Sequence, residues 1–451
     1  MPTSNQSGDS TNCVGSNPTP DRRPIAVDLF AGAGGMTLGF EQAGFDVLAA
    51  VELDPIHASV HKYNFPFWTV VCKNIAETTG KEIRELSAIG DRDIDVVFGG
   101  PPCQGFSLMG KRDLSDDRNS LVFHYLRLVL DLRPKFFVME NVRGITIGKQ
   151  KKILDRVIQE FQHHGYQVAN NPQVLNAANY GVPQNRHRLF LMGCRKGLNL
   201  PSYPRPQTQP LVQQSGLAIA QSVKVLSFTP TVKEAIGDIP EVNDYPELNS
   251  RDWVMAKYGQ PSKYASQLRN PALVRDDYAY TREYNPELLT CSRRTKHTEQ
   301  TIARFAITSP GKSDRISHFH RLDLDGLSIT LRAGTASNRG AFTSPRPIHP
   351  ITPRCITVRE AARLHSFPDW FMFHATKWHG FRQVGNSVPP LLAKAIAGEI
   401  IRALGVMPTK PPEKYRLSQT ELLHFKMSQA EKYHHLEKRA IARRTTVKPI
   451  A

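Results

Sequence analysis

The chain places a cysteine directly behind two prolines at the end of an apolar run. Ile94-Asp-Val-Val-Phe98 leads into Gly99-Gly-Pro-Pro-Cys-Gln-Gly-Phe-Ser107. Pro101 and Pro102 each fix a φ angle and remove an N–H, so Cys103 is carried on a pre-organised edge, a suitable seat for a nucleophilic thiolate. A cysteine beside a turn is more often plain core; its company argues otherwise. Four further apolar runs are bounded by polar or glycine residues: 25–27 before Asp28-Leu-Phe-Ala-Gly-Ala-Gly-Gly35, 47–51 before Glu52, 136–139 before Glu140-Asn-Val-Arg143, and 189–192 just after Gln184, Arg186 and Arg188. A thiolate attacks, a carboxyl group moves a proton, and arginines meet developing negative charge.

The elements that must position these groups follow from the same runs. Short continuous apolar segments suit strands buried on both faces. Between them lie helical patterns such as 149–164, with Ile153, Leu154, Val157, Ile158 and Phe161 at helical spacing and Gly165 placed to stop it. Alternating strands and helices predict an α/β fold with a doubly wound, mostly parallel sheet, whose ligands bind beyond the carboxyl ends of the strands. Cys103, Glu140 and Glu52 would project there. Gly32, Gly34 and Gly35 let the backbone turn tightly beside a ligand. Counted from Gly32, the sixth position of a dinucleotide fingerprint is Thr37, which argues against NAD. Glu52 is placed to accept hydrogen bonds from ribose hydroxyls.

Composition sets outer bounds. The 451 residues carry 58 Lys and Arg against 41 Asp and Glu, a net charge of +17 that fits a polyanionic partner such as nucleic acid. The six cysteines include no Cys-x-x-Cys pair, which suggests neither a zinc site nor a disulfide framework and implies a reducing, cytoplasmic setting. His318 with His320 and His434 with His435 lack a third ligand at useful spacing, so no metal is expected. No membrane span or signal pattern is read, and a soluble monomer is expected. Residues 1–23, polar and Pro-containing, are expected to be disordered. Residues 24–200 form the first part of the main domain, 201–353 a second, smaller and irregular domain, and 354–406 a return to the first. That return includes a capping box at Thr357 and Glu360 and a helix after Pro389-Pro390. Residues 407–451, with ten Lys or Arg against four Glu, form a basic tail read as a solvated helix.

Six motifs in order resemble those of the DNA (cytosine-5) methyltransferases of the bacterial modification-methylase type. They are Asp28-Leu-Phe-Ala-Gly-Ala-Gly-Gly35, Gly100-Pro-Pro-Cys-Gln-Gly-Phe-Ser107, Glu140-Asn-Val142, Gln184-Asn-Arg-His-Arg188, Arg359-Glu-Ala-Ala-Arg-Leu364 and Gly385-Asn-Ser-Val388. The resemblance spans about residues 24–404 and implies a Rossmann-like S-adenosylmethionine-dependent methyltransferase fold, with a target-recognition domain inserted before the last motifs. It makes Cys103 the nucleophile that adds to C6 of a flipped-out cytosine. Glu140 would serve N3 and the exocyclic amine, Arg188 would hold O2, and Arg186 would steady the cysteine loop or a phosphate. A water is the default base for the C5 proton.

For the methyl donor the resemblance implies Phe30 against adenine, Ala31, Gly32 and Gly35 in the glycine loop, and Glu52 with Leu53 at the ribose. Asn74 and Ile75 follow, then Pro102 and Leu121 lining the pocket, and Asn386, Ser387 and Val388 near the methionine end. Asn74 stands where many relatives have Asp; its other reading is a simple turn residue. Double-stranded DNA would be met by Gln104 and Ser107, by Lys111, Arg112 and Arg118 in a closing loop over 108–119, and by Thr330 and Leu331 in the recognition region. Residues 291–339 hold nine Lys or Arg against four acids, enough for several phosphate contacts. A cognate restriction endonuclease is the implied companion. The alternatives are a transfer-RNA cytosine-5 methyltransferase, whose Cys-Phe-Thr element is not found here, and a catalytically silent DNA-binding relative.

Overall fold

The structure, a computed structural model, describes residues 22–102, 121–169, 171–211, 226–334, 346–437 and 441. The segment 1–21, expected to be disordered, lies outside them. So do Cys103, Gln104, Ser107, Lys111, Arg112 and Arg118 with the expected closing loop.

Eight strands form one sheet: β1 (Ile25–Leu29), β2 (Asp46–Glu52), β3 (Thr69–Cys72), β4 (Val96–Gly99), β5 (Phe136–Val142), β6 (Tyr166–Val168), β7 (Gln173–Asn176) and β8 (His187–Arg195). Their order is β3-β2-β1-β4-β5-β8-β6, with β7 also on β8. Pairs from β3 through β5 are parallel, and β8 runs antiparallel to β5, β6 and β7. The expected doubly wound, mostly parallel sheet is therefore present. Its chain order reverses between β1 and β4, which opens a crevice where the glycine loop and the Pro101-Pro102 turn emerge side by side. The two strand ends nearly touch: a Cβ on Gly99 would lie 2.1 Å from the Leu29 carbonyl oxygen.

Alternation along the strands, interrupted in β2 by a register shift at Leu48, divides two apolar cores between the sheet faces. Ala26, Val47, Phe98, Val138 and Phe190 face one, and Val27, Val51, Val97, Met139 and Leu191 face the other. Helices cover both faces: α1 (Gly35–Ala43), α2 (Pro55–Asn64), α3 (Gly80–Leu86), α4 (Leu121–Leu132) and α5 (Lys149–His163) in the first part of the chain. Then come α6 (Val232–Ile236), α7 (Lys263–Arg269), α8 (Glu299–Ile307), α9 (Val358–Leu364), α10 (Lys377–Asn386), α11 (Pro390–Leu404) and α12 (Met427–Tyr433). α11 starts at a proline and crosses α1 so tightly that a Cβ on Gly39 would stand 2.4 Å from that of Ala393.

The described residues between 201 and 353 are irregular, with strands of two or three residues and short helices. Yet Val232, Ile236, Tyr264, Leu268, Leu322 and Leu331 join the same core as Phe40 and Ile396. A buried ion pair adds to this: Arg282 donates to both oxygens of Glu41 in α1 and lies over the rings of Trp370, Phe67 and Phe65.

The basic tail departs from the expected solvated helix. Lys414–Arg416 pairs in parallel with Thr281–Glu283, Leu422 and Leu423 are buried against Val60 and Tyr63 of α2, and α12 docks on the same helix. Apolar side chains at 422, 423 and 430 decide this; the charge count on which the sequence reading rested is blind to them.

The expected capping box is formed, with the Thr357 side chain on the Glu360 N–H and the Glu360 carboxylate on the Thr357 N–H. Burial alone would raise the Glu360 pKa. Arg354, with two N–H donors on the carboxylate, and His349 outweigh it and hold the group at about 2, down from 4.5. A lowered carboxyl pKa stabilises the fold above the unfolded value, and that contribution is lost as pH falls through 4.5 toward 2. Glu360→Gln should cost about 3 kcal/mol at neutral pH and flatten the acid limb of stability over that window, measured by urea unfolding at stepped pH.

Candidate active site

Beyond the carboxyl ends of the parallel strands, β5 and β8 bring an acid and a cation together. Because the strands are antiparallel, Val142 pairs with Arg188 and Glu140 with Phe190, so the start of β8 lies against the end of β5. Arg188 Nε meets Glu140 Oε1 at 2.9 Å, both side chains being largely but not wholly buried. Burial pushes the Glu140 pKa up, and Arg188 and then Arg186 oppose it. The group is thus a carboxyl that can hold a proton at higher pH than usual, beside a fixed cation. The Pro101-Pro102 turn comes close: a Cβ on Gly100 would lie 2.7 Å from Glu140 Oε2, and Asn141 Nδ2 donates to the Pro101 carbonyl at 2.9 Å. Pro102, exposed, is the last described residue before Cys103.

The glycine loop follows β1. Phe30 (φ 63°) and Gly32 (φ 57°) take the left-handed conformation, and a Cβ on Gly32 would meet nothing within 4 Å, so open space faces that backbone. Glu52 braces the loop: Oε2 accepts from the Gly32 N–H at 2.8 Å and Oε1 from the Asp54 N–H at 2.8 Å. Each oxygen keeps a further lone pair for a ribose hydroxyl. Burial raises the Glu52 pKa. Beneath the loop, Asp28 is buried, accepts from the Thr37 hydroxyl, and is pushed well above the usual carboxylate range by burial. Ala31 is buried, and Gly35 packs so closely that a Cβ would stand 2.7 Å from the Val388 carbonyl oxygen. Leu53 is exposed, Leu121 half-buried and Ile75 buried. Asn74 sits in a turn, its Oδ1 accepting from the Ala76 N–H at 3.1 Å, as the simpler of its two readings requires. An open left-handed glycine flanked by a carboxylate at the second strand's end fits the ribose end of S-adenosylmethionine.

Arg186 lies elsewhere than a phosphate contact requires. It is 1% exposed and donates to three backbone carbonyls: Leu331 at 2.8 Å, Gly385 at 2.8 Å and Ser387 at 2.9 Å. A buried guanidinium needs such a set of acceptors, and its described hydrogen bonds are with the recognition and cofactor segments; burial and then Arg188 lower its pKa, and its Nε has no partner among the described residues. Leu331 likewise faces inward, whereas Thr330 is half-buried. The Thr330 hydroxyl donates to the Asn185 carbonyl, and Leu331, buried, donates its N–H to Gln184 Oε1 at 3.0 Å. Two residues not among the expected site positions complete the junction: Gln184, which also donates to the Leu364 carbonyl, and His365, whose Nε2 lies 2.9 Å from the Ser387 carbonyl. Asn386 is exposed, while the Ser387 hydroxyl donates to the Gln383 carbonyl. Gln184 stood within a quoted motif, but nothing in the sequence marked His365.

Among the described residues no group of three or more His, Cys, Asp or Glu could hold a metal ion, and no helix is long and apolar enough to cross a membrane.

A doubly wound sheet with a glycine loop after its first strand and a carboxyl–arginine pair at the same edge defines an α/β methyltransferase. The chain belongs to the C-5 cytosine-specific DNA methylase family, whose model matches residues 26–402. It is 55% identical over 423 residues to the type II methyltransferase M.XorII of Xanthomonas oryzae pv. oryzae, covering 94% of this chain and 95% of that one. It is 33% identical to M.DdeI of Desulfomicrobium norvegicum, covering 83% and 88%. Among solved structures it is similar to a prophage-encoded E. coli protein described as a DNA modification methyltransferase, with a TM-score of 0.66 and 33% identity, covering 85% of this chain and 99% of that one.

Arg186→Met would remove this donor from the buried Leu331 and Gly385 carbonyls, while the Ser387 carbonyl keeps His365, and should lower stability by about 3 to 5 kcal/mol in urea unfolding. Arg186→Lys, keeping charge but not the planar fork, should cost about half as much.

Proposed function

We propose that this enzyme methylates C5 of cytosine at specific sites in double-stranded DNA, through a cysteine adduct at C6 of a flipped-out base. The observation that carries the reading is the Glu140–Arg188 pair beside the Pro101-Pro102 turn: proton donor, cation and the mount of the nucleophile meet at one sheet edge. Cytosine C5 is too weak a nucleophile to take a methyl group unaided. Addition of the Cys103 thiolate to C6 makes C5 electron-rich, and a proton from Glu140 to N3 meets the charge that would otherwise build up in the ring. Arg188, already fixed by Glu140, holds O2. S-adenosylmethionine, when bound, supplies the electrophilic methyl group. Loss of the C5 proton to water, return of the N3 proton to Glu140 and expulsion of the thiolate then restore the aromatic ring and free Cys103. The reaction needs the base outside the stack, at a cost of a few kcal/mol.

On this reading the glycine loop, Glu52 and Leu53 hold the adenosine, with Phe30, Asn74, Ile75, Pro102 and Leu121 around it. Asn386, Ser387 and Val388 meet the methionine end. Residues 201–353 carry target recognition, and Thr330 and Leu331 serve it by anchoring the chain that follows them. The relatives are named type II methyltransferases, which supports a cytoplasmic modification enzyme acting beside a restriction endonuclease of the same specificity.

The deciding experiment is transfer of labelled methyl from S-adenosylmethionine to unmethylated DNA and to RNA, followed by base-resolution mapping of 5-methylcytosine. Transfer confined to one short DNA sequence and abolished by Cys103→Ala is the expected result; transfer to RNA alone, or retention in Cys103→Ala, would overturn the reading. Glu140→Gln keeps hydrogen-bonding groups but has no proton to give, so transfer should fall on the order of 10²-fold with DNA affinity retained. Because burial raises the Glu140 pKa, the wild-type rate should fall as pH climbs through that value, and a pH profile of Glu140→Gln should lack that limb.

A further inference from the structure

Positive charge collects at the amino end of α10 with no salt-bridged acid among the described residues. The Lys377 ammonium donates to the Arg294 carbonyl at 2.7 Å and to the Thr295 hydroxyl at 3.2 Å. Arg346 Nη1 donates to that same hydroxyl at 3.4 Å, so two cations rest on one oxygen. The Arg346 guanidinium lies 5.4 Å from the Phe381 ring centre, and its Nε is buried with no partner among the described residues. Arg293 adds a third charge to the field at Lys377. None of the three forms a salt bridge among the described residues, and the carboxylate within reach of Arg293 is the buried Asp252. Nearby Arg354 is built the other way, neutralised by Glu241 and Glu360.

Cations held together at half-burial repel one another and lose hydration, so the arrangement gains free energy when an anion enters. The Lys377 pKa records the cost: burial, then Arg346 and Arg293, bring it down to about 8. The amino end of a ten-residue helix, with no side-chain cap from Thr376, adds positive partial charge at the same place.

We propose that Lys377 and Arg346, reinforced by Arg293, form a phosphate clamp that seats the backbone of duplex DNA during methylation. The proposal rests on the DNA reading above. Lys377 begins the helix that ends at Asn386 in the cofactor motif, about 14 Å away at 1.5 Å per residue, so the clamp lies apart from that motif. Such a contact positions the duplex and carries no sequence information.

The test uses the full chain with S-adenosylhomocysteine and measures fluorescence anisotropy of a labelled DNA duplex as salt rises from about 50 to 200 mM. Lys377→Met and Arg346→Gln should each weaken DNA binding roughly tenfold at low salt and reduce the slope of log affinity against log salt by about 1. The loss should be equal for duplexes of any sequence, with S-adenosylhomocysteine affinity unchanged and Lys377→Arg restoring the slope. Lys151→Met, which removes a cation paired with Asp155 on α5, should leave the slope as it is. An unaltered slope in either folded variant would overturn the clamp, as would a slope that falls for a stem-loop RNA and not for duplex DNA. Failure of the wild-type protein to methylate any DNA would instead overturn the underlying reading. Should Lys377→Met not fold, Arg346→Gln decides alone.

Discussion

Arg186 brings a charge into the interior, and the architecture of the site depends on how that charge is met. An isolated guanidinium in an apolar setting is very costly, so the fold has to supply acceptors. It does so with carbonyls from two segments far along the chain, Leu331 and the Gly385 to Ser387 turn. Three parts that do different work are thereby held at one point: the start of β8 that aims Arg188, the approach to the recognition region, and the cofactor motif. Gln184 and His365 complete the junction, and Gly385 makes it possible, since a Cβ there would stand 2.4 Å from the Arg332 backbone.

Buried arginines recur wherever residues beyond 200 meet the sheet domain. Arg282 joins Glu41, and Arg363 of α9 joins Asp238 and Asp369. Arg359, 1% exposed, reaches Thr290 and the carbonyls of Pro368 and Phe371. Such pairs add little net stability against an apolar replacement of equal shape, but they penalise every arrangement in which one partner goes unpaired. Their effect here is to fix the register of an irregular region that has little regular secondary structure of its own. A planar fork with five donors does this better than an ammonium can, because it satisfies several acceptors in set directions.

The same electrostatics separates the functional carboxyl groups from the structural ones. Glu140 and Glu360 are both buried beside arginine, yet their pKa values move in opposite directions. Glu360 receives two donors from Arg354 and a backbone N–H, which outweigh burial and keep it ionised. At Glu140, with Arg188 as its hydrogen-bonded partner, burial wins, and a proton can stay. The number of donors on the carboxylate, more than the number of cations nearby, therefore divides a structural anchor from a group suited to acid catalysis.

By itself the sequence determined five of the eight strands of the sheet, their polar ends and the motif order, because continuous β-branched runs, Gly-rich turns and Pro-Pro edges are local preferences; β3, β6 and β7 did not stand out in it. That was enough for the sheet and for the meeting of Glu52, the Pro101-Pro102 turn and Glu140 with Arg188 at one edge. Tertiary structure alone decided what each polar group faces. Arg186 and Arg188, two residues apart, read alike in the sequence; one is sealed among carbonyls and the other stands beside Glu140. The basic tail reads as a solvated helix until Leu422 and Leu423 find α2, and Lys377 and Arg346, 31 positions apart, share one hydroxyl only after folding. Contacts between residues so distant in the chain depend on packing and on the cost of unpaired buried charge, neither of which has a local signature.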